Sequence, residues 1–310
     1  MNKLIILLIC MSSLAKAELD YFLPDTQIES EKLKATSNPN GLIKVASATP
    51  IDDITLKKGQ ATQGQWIQLD ANTWQWTLNF HSKNAVSLNV GFSDVFLPHS
   101  AELQVFGTDK FDKPRIFSDR DNTKHGFLWS GEISGEQAKL VLTVDSHEKE
   151  FVRFKIQNVS RGFFNPEEAI FDNKSGSCNV DVACDAGNGW ENDINSVGRY
   201  TFQTTSGGLV CTGQLINNTA KDGTPYFLTA DHCTGGDVTT WTIGFNFESA
   251  TCNTNSGYNA NNFESINVLV MRAQNSASDV ALIELVQTPP ASFNLYFAGW
   301  DRSGTFPTSQ

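Results

Sequence analysis

Two short runs in this sequence carry residue types that could do chemistry together. YFLTADHC, residues 226–233, ends an apolar stretch with a histidine beside a cysteine, and SDVALIEL, residues 278–285, opens another with an aspartate. An imidazole ordinarily titrates near neutral pH, which suits a general base that takes a proton from a nucleophile. Its far ring nitrogen needs a carboxylate from a separate element, to hold the tautomer and steady the imidazolium. His232, the only histidine after residue 147, and Asp279 fit those two roles of a hydrolytic triad. Asp231 is nearer in sequence, but neighbouring side chains on one backbone point apart, so Asp279 is the candidate orienting group. The third role, a serine in a Gly-x-Ser-Gly turn, is not filled anywhere in the 310 residues. Ser206, Ser256, Ser278 and Ser303 are the serines nearest these runs, and Ser175 and Ser177 only precede Cys178. Without that serine no acyl-enzyme forms, so the 310-residue chain itself is expected to be inactive.

Something must pin the histidine. Cys211, in LVCTGQLI, and Cys233 lie on successive apolar runs, and a bridge between them would tie the histidine loop to its sheet. A zinc site built on His232, Cys233 and other cysteines is the competing use. Cys178, Cys184, Cys211, Cys233 and Cys252 contain no C-x₂-C pair, and an exported chain disfavours thiolate ligation. No metal and no organic cofactor is expected.

The elements that carry these residues read as strands, and the fold class is all-β. From about 42 to 160 the chain shows short period-2 segments separated by Pro, Gly, Asn and Asp. Trp74, Trp76, Leu78 and Phe80 alternate with polar residues, as do Val86, Leu88 and Val90, then Leu140, Leu142 and Val144, then Val152, Phe154 and Ile156. That spacing predicts an antiparallel β-sandwich. A second set follows: 200–203, 209–216, 226–230, 241–247, 266–271 and 280–285. Six strands in about ninety residues suit a small closed barrel. FDNKSGSCN, residues 171–179, reads as an exposed linker between the halves. Residues 18–40 are polar and without periodicity, which predicts a loose leader.

Lys3, the apolar run from Leu4 to Ile9 and Ala15-Lys16-Ala17 read as a signal peptide over residues 1–17. Cys10 is not a lipid site on this reading, because Ile9 stands where a small residue is required. The apolar run is too short to span a bilayer. A secreted product, extracellular or periplasmic, is expected, with no membrane partner. The net charge of −11 argues against a nucleic-acid partner, which needs a clustered basic face. Five cysteines follow the signal, and an odd number in an exported chain points to a partner outside it.

Lysine usage differs between the halves. Residues 1–174 hold fifteen lysines and four arginines, whereas residues 175–310 hold Lys221 alone and three arginines. An acidic domain could simply use few lysines. Arginine is the control, and it favours a second half that cuts after lysine and has shed such sites. Lys174–Ser175 in the linker is then the processing bond.

CTGQLI, YFLTADHC and SDVALIEL together resemble the first-barrel motifs of chymotrypsin-fold serine proteases. GSCNVDVAC (176–184) with FNLYFAGWDR (293–302) resembles the bacterial lysyl endopeptidases specifically. The stretch around Trp74-Gln75-Trp76, with FLPHSAELQVF (96–106) and GFLWSGEI (126–133), is similar to the propeptides of such enzymes. The resemblance implies a double β-barrel of which 175–310 is the first barrel, and a propeptide over 18–174 acting as intramolecular chaperone or inhibitor. It implies His232 as base and Asp279 as orienting carboxylate, with cleavage of protein or peptide substrates after lysine. It also implies the pairings Cys211–Cys233 and Cys184–Cys252, with the partner of Cys178 in the second barrel. The alternative is a non-catalytic exported binding protein with a decayed protease barrel, its sandwich using Trp66, Trp74, Trp76 and Trp129 to line a sugar site.

Overall fold

A computed structural model describes residues 20–24, 43–108, 114–163, 180–204, 207–248, 251–252, 264–301 and 303–304. The signal over 1–17, the Lys174–Ser175 bond and Cys178 lie outside the described residues.

The first half is a sandwich whose inner faces follow from period-2 alternation. In Thr73–His81 the buried side chains are Trp76, Leu78 and Phe80, and in Gln137–Asp145 they are Ala138, Leu140, Leu142 and Val144. Antiparallel register sets Trp76 opposite Leu142 and Leu78 opposite Leu140, and Leu140 in turn lies opposite Val105. Side chains alternate faces along a strand, so this pairing makes one continuous apolar surface. It packs on a second sheet that contributes Leu88, Val90, Phe92, Phe154, Ile156, Ile54 and Leu56. Edge-on ring contacts, Trp76 with Phe154 and Phe92 with Phe154, knit the two layers.

Two strands differ from the sequence reading. Asp20–Phe22, assigned to a loose leader, pairs in parallel with Asn79–His81. The Asp20 carboxylate lies 2.8 Å from the His81 ring, Asn79 donates to it at 3.1 Å, and Phe22 stacks on His81. Three residues held by side-chain partners need no periodicity of their own. Ile43–Lys57 is a continuous strand of 15 residues although Pro50, Asp52 and Asp53 interrupt its apolar pattern. Pro50 is tolerated because it faces Asn158 beside a register irregularity in Arg153–Gly162.

The second half is a closed barrel of six strands. Val197–Thr204 pairs with Gly207–Ile216 on one side and Thr242–Phe245 on the other. Pairing continues through Glu264–Asn275, Val280–Leu285 and Tyr226–Thr229, and Tyr226–Leu228 returns to Gln214–Ile216 to close the ring. Its interior is filled by Tyr200, Phe202, Phe227, Trp241, Ile243, Phe245, Val268 and Ile283, all fully buried. Glycine is required at Gly213, where a Cβ would come within 2.3 Å of the Phe227 ring. The all-β expectation holds, including sandwich and barrel. The halves are not separate sheets, however: Ile43–Lys57 also pairs with Gly207–Ile216, joining sandwich layer and barrel.

Candidate active site

Two adjacent structural features deliver His232 and Asp279. Tyr226–Thr229 ends at Ala230, and Asp231–Cys233 forms a single 3₁₀ turn closed by Cys233 N donating to Ala230 O at 3.2 Å. The next barrel strand, Val280–Leu285, is hydrogen-bonded to Tyr226–Thr229, so its first residues emerge beside that turn. Asp279 immediately precedes it, in the loop that follows Glu264–Asn275. Its φ of 52° lies in the left-handed region, where aspartate is one of the few tolerated side chains.

The result is a two-point contact. His232 Nδ1 lies 2.7 Å from Asp279 Oδ2, and the His232 backbone N–H donates to Oδ1 at 2.9 Å. A carboxylate only accepts, so Nδ1 carries the ring proton and Nε2 presents a lone pair. The Asp279 carboxyl is held below the ordinary carboxylate range, first by the backbone N–H of His232 and then by its ring. Asp279 therefore stays ionised at neutral pH. Asp231 does not take that role: its Oδ1 is buried without a hydrogen-bond partner among the described residues, and its backbone N–H supports Asp279.

Covalent and buried bonds fix the turn. Cys211–Cys233 and Cys184–Cys252 are disulfides, so four of the five cysteines weighed for zinc are bonded to one another, and Cys178 lies outside the described residues. Tyr200 is fully buried and donates its hydroxyl to Cys233 O at 3.1 Å, with Thr229 Oγ1 at 2.9 Å. Burial pushes its phenol up to about 12, so it remains a protonated donor at neutral pH. On the other side Gln274 donates to Thr234 Oγ1, which donates to Asp231 O at 2.6 Å. Sequence reading did not find Tyr200, Thr234 or Gln274; their bonds cross the barrel, and nothing local signals them.

His232 forms part of the wall of an open cavity of about 610 Å³, together with Cys211, Cys233, Val210, Arg199 and Phe247. The histidine and aspartate side chains are 65 % and 51 % exposed, so Nε2 is reachable from outside the barrel. Chemically the pair is a base with a fixed tautomer and an ionised orienting partner. Among the named serines, Ser278 donates its backbone N–H to Asn275 Oδ1 and Ser303 bonds its hydroxyl to Asp301, while Ser206 and Ser256 lie outside the described residues.

The tryptophans named for a sugar site divide. Trp76 and Trp129 are buried, Trp76 completely, whereas Trp66 and Trp74 are half-buried with the Lys149 ammonium over both rings. Two of the four are therefore core, and the other two are already occupied.

Comparison with known proteins gives two findings. Residues 172–310 match the family described as "Lysyl endopeptidase, C-terminal domain". The lysyl endopeptidase of Pseudomonas aeruginosa is 30% identical over 221 residues, covering 66% of this chain and 46% of that protein. The chain thus spans under half the length of the curated relative that it matches.

Proposed function

From the premise that this chain is a lysyl endopeptidase-related protein, we propose that it is the N-terminal part of a secreted serine endopeptidase precursor that cleaves after lysine. On this reading residues 1–17 are the signal, 18–174 the propeptide and 175–310 the first catalytic barrel. The observation that carries it is the two-point bond of His232 to Asp279 at the edge of an open cavity. In the reaction, His232 Nε2 takes the proton of a serine hydroxyl as its oxygen attacks the peptide carbonyl, then hands that proton to the departing amine. Asp279 holds the tautomer and stabilises the imidazolium throughout. Water hydrolyses the acyl-serine by the same relay. The serine comes from the segment that Cys178 would be bonded to, beyond these 310 residues.

Lysine selectivity rests on the fifteen-to-one lysine distribution across residue 174. Proteins or peptides are the substrates, and export follows from the N-terminal run and the disulfides. The non-catalytic binding protein is not favoured, since the sandwich tryptophans offer no open aromatic surface. Sequencing the DNA downstream of the Gln310 codon tests the proposal. An open frame encoding a Gly-x-Ser-Gly turn and a further cysteine is expected; a stop codon there would overturn it.

A further inference from the structure

Gly207–Ile216 is longer than the barrel needs. Its second half, Gln214–Ile216, pairs with Tyr226–Leu228, but on the same edge its first half has no barrel neighbour among the described residues. That edge would present unpaired N–H and C=O groups, a template for another strand. The sandwich supplies the strand: Ala46, Lys44 and Ile43 pair with Gly208, Leu209 and Val210.

Three further contacts cross the same boundary. Arg199 Nη1 donates to Glu132 Oε2 at 2.8 Å, with side-chain exposures of 5 % and 16 %. Arg115 of the sandwich donates to Glu132 O at 3.0 Å, fixing the loop that carries the carboxylate. Trp129 N reaches Asn267 Oδ1 at 3.4 Å, and that oxygen also accepts from Thr242 Oγ1. Gly131, at φ 73°, lies so close to the barrel that a Cβ would stand 3.3 Å from Thr242 Cγ2. Buried ionic pairs are strongly disfavoured when one member is removed, because the remaining charge has lost its water. Glu132 and Arg199 therefore act as a latch within the interface, beside which Val210 of the barrel packs against the sandwich core. The same contacts leave the site open, since His232 is 65 % exposed with the sandwich in place.

We propose that the barrel surface formed by Arg199, Gly208–Val210, Thr242 and Asn267 is a docking site for the released sandwich half. Its strand 43–46 and Glu132 hold the two pieces together without a covalent link and without covering His232. This deepens the precursor reading by assigning the propeptide a holding role on the barrel edge and not a plug over the histidine. The structural claim does not require that Lys174–Ser175 be the natural cut, and its test is built to be independent of that bond.

The test inserts a recognition site for a sequence-specific protease into the 171–179 stretch of the 310-residue chain, cuts it, and follows the pieces by size-exclusion chromatography. At micromolar concentration the cut pieces should elute together. Glu132→Arg should weaken their association at least tenfold, and adding Arg199→Glu should restore most of it. Glu132→Gln, closer in shape, should weaken it in the same direction should arginine at 132 prevent folding. Carbethoxylation of His232 by diethyl pyrocarbonate, read by peptide mass, should proceed within twofold at the same rate in docked and separated barrel. Pieces that separate with Glu132 and Arg199 intact, or that stay equally tight with Glu132→Arg, would overturn the docking site. Several-fold faster modification of His232 on separation would overturn its uncovered state.

Discussion

The backbone N–H and the ring Nδ1 of His232 both end on the carboxylate of Asp279, at 2.9 and 2.7 Å on its two oxygens. One carboxylate thereby fixes the position of the turn and the tautomer of the ring. Replacing it should separate those two effects.

In Asp279→Asn one oxygen is retained for the backbone N–H, while the amide NH₂ turns toward the ring. The imidazole should switch to the Nε2–H tautomer, removing the lone pair from the outward nitrogen. Nitrogen-15 correlation spectra above the imidazole titration should show Nδ1 protonated in the parent protein and Nε2 protonated in the variant. An Nε2–H form already present in the parent would refute the assignment.

Because its folded value is depressed, Asp279 adds stability that is present above the ordinary aspartate value of about 3.9 and is lost as pH falls through the lower folded one. The His232–Asp279 bond should therefore survive moderate acid. A carbon-13 titration of the Asp279 carboxyl should have its midpoint below about 3.9; a midpoint at or above that would contradict the two-point bond.

The Cys211–Cys233 bridge closes a loop of sequence separation 22. Loop-closure entropy puts its contribution at about 3 kcal/mol. Urea unfolding of the Cys211→Ser, Cys233→Ser double variant should show a loss of that order, and non-reducing peptide mapping of the parent should recover this bridge and Cys184–Cys252. A Cys178–Cys211 bond would contradict the pairing.

Lys221 is the one lysine of the barrel half. Its N–H is held by Asn218, and Asp222 accepts from Asn218 Nδ2 at 2.7 Å and from Thr224 at its backbone and hydroxyl. These bonds hold the Asp222 carboxyl down at about 2 and lock the turn around the Lys221–Asp222 bond. Asp222→Ala should open that bond to a lysine-specific protease, read by intact mass, while the parent resists. Equal cleavage of both would show that the turn gives no protection.

The barrel was legible because each strand carries a clean apolar run bounded by turn residues, and because histidine and aspartate each sit next to such a run. Ile43–Lys57 was not, since Pro50 and the aspartates are accommodated by a bulge on its partner strand and not by its own pattern. Glu132 and Arg199 stand 67 residues apart and meet only when one sheet runs through both halves. The backbone bond to Asp279 depends on a left-handed φ that an aspartate permits but does not announce. Alternation along a strand is local information; which strands of two halves become neighbours is not.

Processing offers a further check on the precursor reading. Secreted product from the full frame should begin Ser-Gly-Ser-Cys at Ser175, and Lys174→Arg should block or slow that cut. Unchanged maturation of Lys174→Arg would remove the main support for lysine selectivity.

The most direct measurement is peptide cleavage by the protein made from the full open frame, with His232→Ala and Asp279→Ala beside it. Cleavage after lysine and not after arginine is expected, with turnover reduced about 10⁴-fold or more in each variant. Peptide cleavage that persists in His232→Ala at the parent rate would contradict the role assigned to this histidine and, with it, the serine-endopeptidase reading of the chain.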